Sequence, residues 1–322
     1  MKLDGARIAV IGGAGFVGSH IVDHLLREPV KKIIVFDNFV RGTRRNIEAA
    51  AANPRVSVVE GSITDMPRLQ SVVEQCDGVF HLAALWLYEC VHQPRSAVDV
   101  NVTGTWNVIE ACQTAAVKKV VYSSSASVYG DALAIPMTEE HPFNNRTFYG
   151  ATKIAGEQFF RASYEQRKMD YVGLRYMNVY GPRMDYKGTY VSVIMKVLDR
   201  IEAGEPPIIW GDGSQAYDFV HVDDVARANV LAMQSDASDV CLNVGCGVQT
   251  TINELVMRLL RLTGSTLQPE YRPNAQMFVT NRVGSTEKAK ALLDFAAGVP
   301  LDDGLRSVVE WRARDRHATA GR

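Results

Sequence analysis

Tyr149 and Lys153 lie four residues apart in the stretch Phe148-Tyr149-Gly150-Ala151-Thr152-Lys153. That spacing puts both side chains on one face of a helix, one turn apart. An unperturbed phenol titrates near about 10, so alone it is a poor base at neutral pH. A neighbouring ammonium favours the phenolate and lowers that value. A proton acceptor works best when its pKa lies near the working pH, and moving a tyrosine down by about three units takes about 4 kcal/mol. One ammonium together with a second cation in a dry site can supply it. Taken alone, the same pair also reads as an ordinary surface contact on a helix. The elements around it separate the two readings.

Ile11 is followed by Gly12-Gly13-Ala14-Gly15-Phe16-Val17-Gly18, with glycines at 12, 15 and 18. The segment follows a strand and opens a helix, the context in which such glycines hold a dinucleotide. They allow the tight turn and let the backbone approach a pyrophosphate, which the helix N-terminus faces with its N–H groups. Gly18-Ser19-His20 stands where a Walker loop would need Gly-Lys-Ser/Thr, so ATP hydrolysis is disfavoured. Asp37 ends the second strand about 20 residues on, where a carboxylate accepts from both ribose hydroxyls and repels a 2′-phosphate. NAD is therefore expected rather than NADP. Arg41, Arg44 and Arg45 follow closely and are read as a solvated loop.

Apolar, β-branched runs alternate with amphipathic segments. Strands are expected at Arg7–Ile11, Lys32–Phe36, Val56–Glu60, Gly78–His81, Lys119–Ser123 and Tyr171–Tyr176. Helices are expected at Phe16–Arg27, Met66–Gln75, Pro94–Ala116 and Tyr149–Gln166. This alternation predicts an α/β chain with a Rossmann-type, doubly wound parallel sheet covered on both faces. Residues 1–177 form the dinucleotide-binding domain, with returns from about 215–250. Residues 178–314 mainly form a smaller, interleaved α/β substrate domain. In it, helices are read at Tyr190–Ala203, Val225–Met233, Ile252–Leu262, Thr286–Asp294 and Gly304–Arg314, and a short strand at Asp218–Val222. Residues 315–322 read as a polar, frayed tail.

The 322 residues carry a net charge of −1, with 47% hydrophobic and 22% charged residues, which disfavours a nucleic-acid or anionic-membrane surface. No run has the length of a membrane span, and Met1–Val10 lacks the features of a signal peptide. Cys76, Cys90, Cys112, Cys241 and Cys246 are scattered and read as free thiols in a reducing, cytoplasmic compartment. His81, His92, His141 and His221 lack metal-ligand spacing, so no metal is expected.

The sequence resembles the extended short-chain dehydrogenase/reductases, and among them the nucleotide-sugar epimerases of the UDP-galactose 4-epimerase kind. The segments that carry the resemblance run in order from Arg7 to about Trp311. They are Gly12–Gly18, Asp37-Asn38, His81-Leu82-Ala83-Ala84, Asn101-Val102-Thr103-Gly104-Thr105, Ser123–Gly130 and Tyr149…Lys153. Arg175–Arg183 and Gly211-Asp212-Gly213…Asp218–Asp224 complete the set. The resemblance implies that Tyr149 is the general base for a sugar hydroxyl. Lys153 lowers its pKa and holds the nicotinamide ribose, and Ser125 hydrogen-bonds the same hydroxyl or the ketone. Tightly held NAD is recycled, and the sugar inverts at C4 through a transient 4-ketone.

The cofactor residues implied are Gly12, Gly15, Phe16, Val17, Gly18, Asp37, Asn38, Ser62, Ile63, Leu82, Ala83, Ala84, Asn101, Ser123, Tyr149, Lys153, Tyr176 and Val179. Those for the substrate are Ser125, Ser127, Tyr149, Asn178, Arg183, Trp210, Tyr217 and Arg282. Two positions depart from the family pattern. Ser62 replaces the usual adenine-contacting aspartate. Tyr217 stands where an arginine usually meets the diphosphate, and Arg282 is a compensating cation. Dehydrating relatives carry Asp-Glu at the positions of Ala126 and Ser127, and decarboxylating ones a glutamate at that of Ser127. This chain has neither acid, so epimerisation of UDP-glucose and UDP-galactose leads.

UDP-glucuronate or a UDP-N-acetylhexosamine is the nearest alternative substrate. An NAD(P)H-dependent 4-keto-sugar reductase, releasing its cofactor each turnover, and a non-catalytic nucleotide sensor are the other classes. The resemblance also implies a homodimer through Pro94–Ala116 and Tyr149–Gln166. Val98, Val102, Trp106 and Ile109 fit such a face and fit a sheet-facing stripe equally well.

Overall fold

The computed structural model describes residues 1–185, 192–273 and 281–320, the last four by backbone alone. Six strands alternate with helices through the first half: β1 (Arg7–Ile11), β2 (Lys32–Asp37), β3 (Val56–Glu60), β4 (Gly78–His81), β5 (Lys119–Ser125) and β6 (Tyr171–Tyr176). The second half adds β7 (Asn178–Tyr180), β8 (Ile208–Trp210), β9 (Ala216–Tyr217), β10 (Phe219–His221), β11 (Val240–Val244), β12 (Thr250–Thr251), β13 (Glu270–Arg272) and β14 (Asn281–Arg282). Seven strands form one sheet in the order β11-β6-β5-β4-β1-β2-β3, each neighbouring pair parallel.

Both faces of this sheet are buried, which is why its strands are apolar at successive positions. Ile8, Val10, Ile33 and Val35 enter one core, while Ala9, Ile11, Ile34 and Phe36 enter the other. Each buried Ile, Val or Phe among them contributes roughly 1.5–3 kcal/mol. The chain reverses its direction across the sheet between β1 and β4. In parallel sheets, ligands bind in the crevice outside the strand ends at that reversal.

The second half builds a separate core from Tyr180, Leu198, Leu255, Leu259, Leu305 and Val308. Around it lie a β7–β10 pair, a β8–β13 ribbon and a β12-β9-β14 sheet. The first residues of the helix expected at Tyr190–Ala203, 190–191, lie outside the described residues; the observed helix is Val193–Glu202.

Two elements differ from the sequence reading in ways that matter. The Pro94–Ala116 helix contains a wide π-helical stretch, Val98–Gly104, between α-helical ends. Within it, the buried amide of Asn101 bonds the Leu85 backbone, and Gly104 packs where a Cβ would meet Ile63 Cδ1 at 2.7 Å. The last helix is Leu301–Ala320, so the order read as ending at Arg314 continues. Buried Arg312 donates to Asp199 at 2.5 Å and Glu202 at 3.0 Å, and Arg316 pairs with the same two acids. Asp315 pairs with Arg45 at 2.7 Å. Hydropathy reads these residues as polar and cannot register that their charges find partners.

Candidate active site

The crevice opens on the turn after β1. Gly12 has φ +84°, and a Cβ there would stand 2.7 Å from the Ala83 backbone nitrogen. A Cβ at Gly18 would overlap the Gly12 carbonyl oxygen. Gly15 caps the Phe16–Leu25 helix and no side chain covers that N-terminus. Leu82 and Ala83 donate backbone N–H groups to Ile11 O at 2.8 and 3.0 Å, holding the Leu82-Ala83-Ala84 stretch against the turn. The glycines thus leave a cradle that any side chain would fill, the shape a dinucleotide pyrophosphate needs.

At the end of β2, buried Asp37 accepts from Ala14 N and Phe39 N, both at 2.9 Å. Burial pushes its carboxyl up, and the N–H donors of Phe39, Ala14 and Gly15 oppose that. Two such bonds leave carboxylate lone pairs for ribose hydroxyls. The arginines that follow are exposed, as the sequence suggests, and each also has a partner. Arg44 pairs with Glu60 at 2.7 Å and Arg45 with Asp315. Arg41 stacks 3.8 Å over Trp86 and approaches Asp185 at 3.8 Å. All three thus have partners within the chain, and the Asp37 carboxylate disfavours a 2′-phosphate, in keeping with NAD. Asn38 is exposed and closes its own turn onto Val40 N at 3.2 Å. Ser62 bonds Thr64 Oγ1 at 2.8 Å, while Ile63 is buried against Gly104.

The chemistry sits where β5 ends beside the start of the Phe148–Arg167 helix. Thr147 caps that helix by accepting Gly150 N at 3.0 Å, which sets Tyr149 in its first turn. Buried Lys153 donates from Nζ to Ser123 O at 2.7 Å. Ser125 Oγ accepts Ser127 N and donates to Ser127 Oγ, both at 3.1 Å, and its hydroxyl helps to pull the Tyr149 phenol down.

The electrostatics depart from the expectation that Lys153 lowers the phenol. Burial pushes Tyr149 up to about 12, reinforced by Cys90; the groups that pull it down are Ser125, Arg41 and Arg282. Burial also lowers Lys153 to about 8, opposed by Cys90 and Glu157. The ammonium is turned toward the Ser123 carbonyl and stands 5.7 Å from the Tyr149 ring centroid. Desolvation of both groups therefore outweighs their mutual effect in the chain by itself.

Several expected residues serve this site indirectly. Asn101 accepts Leu85 N at 2.6 Å and donates to Leu85 O at 2.9 Å and Thr152 Oγ1 at 3.1 Å. Its amide thus ties the loop after β4 to the Tyr149–Lys153 helix. Tyr176 donates to Asn229 Oδ1 at 2.9 Å, and Val179 packs against the first core. Asn178 is anchored through its backbone N–H to Asp218 O at 2.9 Å. Arg183 pairs with Asp23 at 2.8 Å, so its charge is already matched by the Phe16–Leu25 helix.

On the substrate side, Trp210 ends β8 and is 45% exposed, an aromatic surface open to a ligand. Tyr217 and Arg282 are register partners on β9 and β14. Burial lowers Arg282, opposed by Tyr217, Asp131 and Tyr149, and its buried Nε has no hydrogen-bond partner among the described residues. An unsatisfied guanidinium N–H, on a side chain that also acts on the Tyr149 phenol, suits an anionic or hydroxyl-rich ligand. Ala126 and Ser127 are buried at the end of β5 and supply no acid.

Arg41 was not singled out for the site in the sequence reading. Three arginines share its loop, and only the stacking on Trp86, distant in sequence, selects the one that faces Tyr149.

A glycine cradle at a strand-order reversal, with a tyrosine–lysine pair across the crevice, defines a Rossmann enzyme of the extended short-chain dehydrogenase/reductase class. The model of the NAD dependent epimerase/dehydratase family matches residues 8–245, and the chain belongs to that family. It is 33% identical over 308 residues to a UDP-glucose 4-epimerase of Mycolicibacterium smegmatis, covering 95% of this chain and 98% of that protein. It superposes with TM-score 0.92 and 32% identity on UDP-N-acetylglucosamine 4-epimerase from Methanobrevibacter ruminantium, solved with UDP-N-acetylmuramic acid, covering 98% of this chain and all of the other. The Thermotoga maritima UDP-glucose 4-epimerase with UDP-glucose gives TM-score 0.89 and 33% identity, covering 96% of this chain and 99% of that one.

Proposed function

We propose that this chain is a nucleotide-sugar 4-epimerase that interconverts UDP-glucose and UDP-galactose. The observation that carries the reading is the meeting of Ser125, Tyr149 and Lys153 at the end of β5, with no acid at Ala126 or Ser127. Removing water or carbon dioxide needs a further acid/base group; inversion at C4 needs one reversible proton acceptor. NAD supplies a reversible hydride acceptor when bound. Gly12, Gly15, Phe16, Val17, Gly18, Asp37, Asn38, Ile63 and Leu82–Ala84 would hold it.

Tyr149 takes the proton of the sugar 4-hydroxyl and returns it after the ketone has turned over. Ser125 hydrogen-bonds the same oxygen and favours the phenolate. Lys153 is locked by Ser123 O with its remaining N–H groups available to a ribose. Burial holds the phenol high in the chain alone, so the cation needed to bring it toward neutrality comes with the loaded site. Trp210 offers a face for the nucleotide base. Asn178 and Arg282 meet the diphosphate, with the Tyr217 hydroxyl beside them. Ser127 backs Ser125.

Incubating the purified chain with UDP-, GDP- and CDP-sugars, without added cofactor, tests the reading. Interconversion of UDP-glucose and UDP-galactose is expected, together with NAD released on heating. Turnover that requires added NAD(P)H points to the reductase class instead, and no turnover of any nucleotide sugar refutes the proposal. UDP-glucuronate belongs in the panel because Arg41 and Arg282 both act on Tyr149 and favour an anionic sugar, and UDP-N-acetylglucosamine because an epimerase of similar structure is named for it.

The working form we propose is a cytoplasmic homodimer. Among the described residues no helix is long and apolar enough to cross a membrane. Val98 and Trp106 are 45% and 42% exposed, and Trp106 packs on Phe159 at 5.6 Å, forming an apolar surface across both helices. Ile109 is fully buried, so the stripe expected from sequence divides: its end turns to the sheet and only Val98, Val102 and Trp106 support the dimer face. Light scattering checks this, a concentration-independent monomer mass being the contrary result.

A further inference from the structure

Glu157 continues the line of Tyr149 and Lys153 along their helix, one more turn on the same face. It is 2% exposed. Its Oε1 accepts from Ser124 Oγ at 2.5 Å and from Arg175 Nε at 2.9 Å, and its Oε2 accepts from Arg175 Nη2 at 2.8 Å. Ser124 and Arg175 are register partners on β5 and β6. The carboxylate therefore joins one helix to two strands at a single level. Ser124 lies between Ser123, whose carbonyl holds Lys153, and Ser125, whose hydroxyl helps to pull the Tyr149 phenol down.

Arg175 extends the connection through Nη1 to Tyr129 Oη at 2.8 Å and to Glu139 O at 3.0 Å. Tyr129 in turn donates to Asn243 Oδ1 at 2.7 Å, in β11 at the sheet's edge. A buried ion pair is a poor source of net stability, because desolvation of both charges offsets their attraction. What a bidentate pair with a third hydrogen bond supplies is geometry.

We propose that Glu157 is a positioning residue: through Ser124 it sets the distance between the β5 end and the helix, and so the contact between Ser125 and Tyr149. The inference rests on Tyr149 being the proton acceptor, as read above. Without the link, Ser125 moves relative to the phenol while the glycine cradle and the sugar-binding strands stay in place. Glu157 also faces Lys153 and supports its charged form against burial.

Ser124→Ala removes one leg of the link and leaves the Glu157–Arg175 pair intact, so no buried charge is exposed. Its kcat should fall about tenfold, with KM for the nucleotide sugar and the bound NAD content unchanged. Glu157→Gln should lose more, up to about a hundredfold in kcat. Near-ultraviolet titration of tyrosinate, taken as a difference against the same protein carrying Tyr149→Phe, should show the Tyr149 titration displaced to higher pH in Ser124→Ala. A solely structural role would lower the melting temperature and leave kcat per folded enzyme and the Tyr149 titration where they are. Wild-type kcat and an unmoved titration in Ser124→Ala overturn the proposal, whether or not Glu157→Gln folds. If the parent chain turns over no nucleotide sugar, the epimerase reading fails, and the phenol titration still decides this one.

Discussion

Two regions of the molecule are proposed to hold a diphosphate, and they would do so by different means. The turn after β1 presents backbone N–H groups and a helix N-terminus without a side-chain cap, braced from β2 by the Asp37 carboxylate on Ala14 N. The β9–β14 pair presents one partly buried guanidinium, Arg282, beside a phenol, Tyr217. The first site tolerates almost any change that adds no atoms and fails when atoms are added. The second has the opposite sensitivity: its proposed contact disappears when one side chain is truncated. Tyr149 lies between the two and is acted on by Arg282 from the substrate side.

The largest effect expected separates both sites from the chemistry. Tyr149→Phe should lower kcat by about 10²- to 10⁴-fold, measured by product separation, with NAD content unchanged. Full turnover in that variant would remove the proton acceptor from the account. Gly18→Val addresses the backbone site. Its side chain must displace the Gly12 carbonyl, and NAD content per chain should drop about tenfold or more by heat-release assay. Retained NAD in a folded Gly18→Val protein would show that the cradle is not the anchor.

Arg282→Ala addresses the side-chain site. KM for the UDP-sugar should rise about tenfold to a hundredfold with NAD content intact, the loss of a charge-assisted contact. Adding Tyr217→Arg on the neighbouring strand should recover part of it. If KM does not move, the diphosphate is held elsewhere.

The smallest effect expected uses acid to tell the two halves apart. His81, at the end of β4, is buried and lowered from 6.5 to about 3 by burial, with Lys153 adding to the shift. The unfolded chain binds the extra proton first, so stability falls as pH drops from 6.5 toward 3. Asp218, between β9 and β10, is raised by burial from 3.8 to about 6, against the N–H groups of Cys246, Gly247 and Gly284. The folded chain binds that proton first, so stability rises as pH drops from about 6 to 3.8. Denaturation midpoints followed with pH should therefore flatten on the acid side in His81→Asn and steepen in Asp218→Asn. Parallel shifts in both variants would contradict the opposite signs.

The cofactor half was more legible in sequence than the substrate half, for a physical reason visible in particular residues. Gly12, Gly15, Gly18 and Asp37 act through backbone and strand ends fixed by local order, so spacing alone locates them. The role of Asn101 is not readable this way. Its partners Leu85 and Thr152 meet its buried amide, in the π-helical stretch, only once the chain has folded. Arg183 looked available for an anion until Asp23, far away in the chain, was found beside it. Among Arg41, Arg44 and Arg45, sequence shows a charged loop, and folding gives each arginine a different partner.

From the order of residues alone come the parallel sheet, the dinucleotide turn, the choice of NAD and the tyrosine–lysine face, because periodicity and local backbone demands are carried by neighbours along the chain. Tertiary structure alone decides how far the phenol is desolvated, which arginines act on it and how Glu157 ties its helix to β5 and β6. Those properties depend on exclusion of water and on contacts between residues remote in sequence, neither of which spacing encodes.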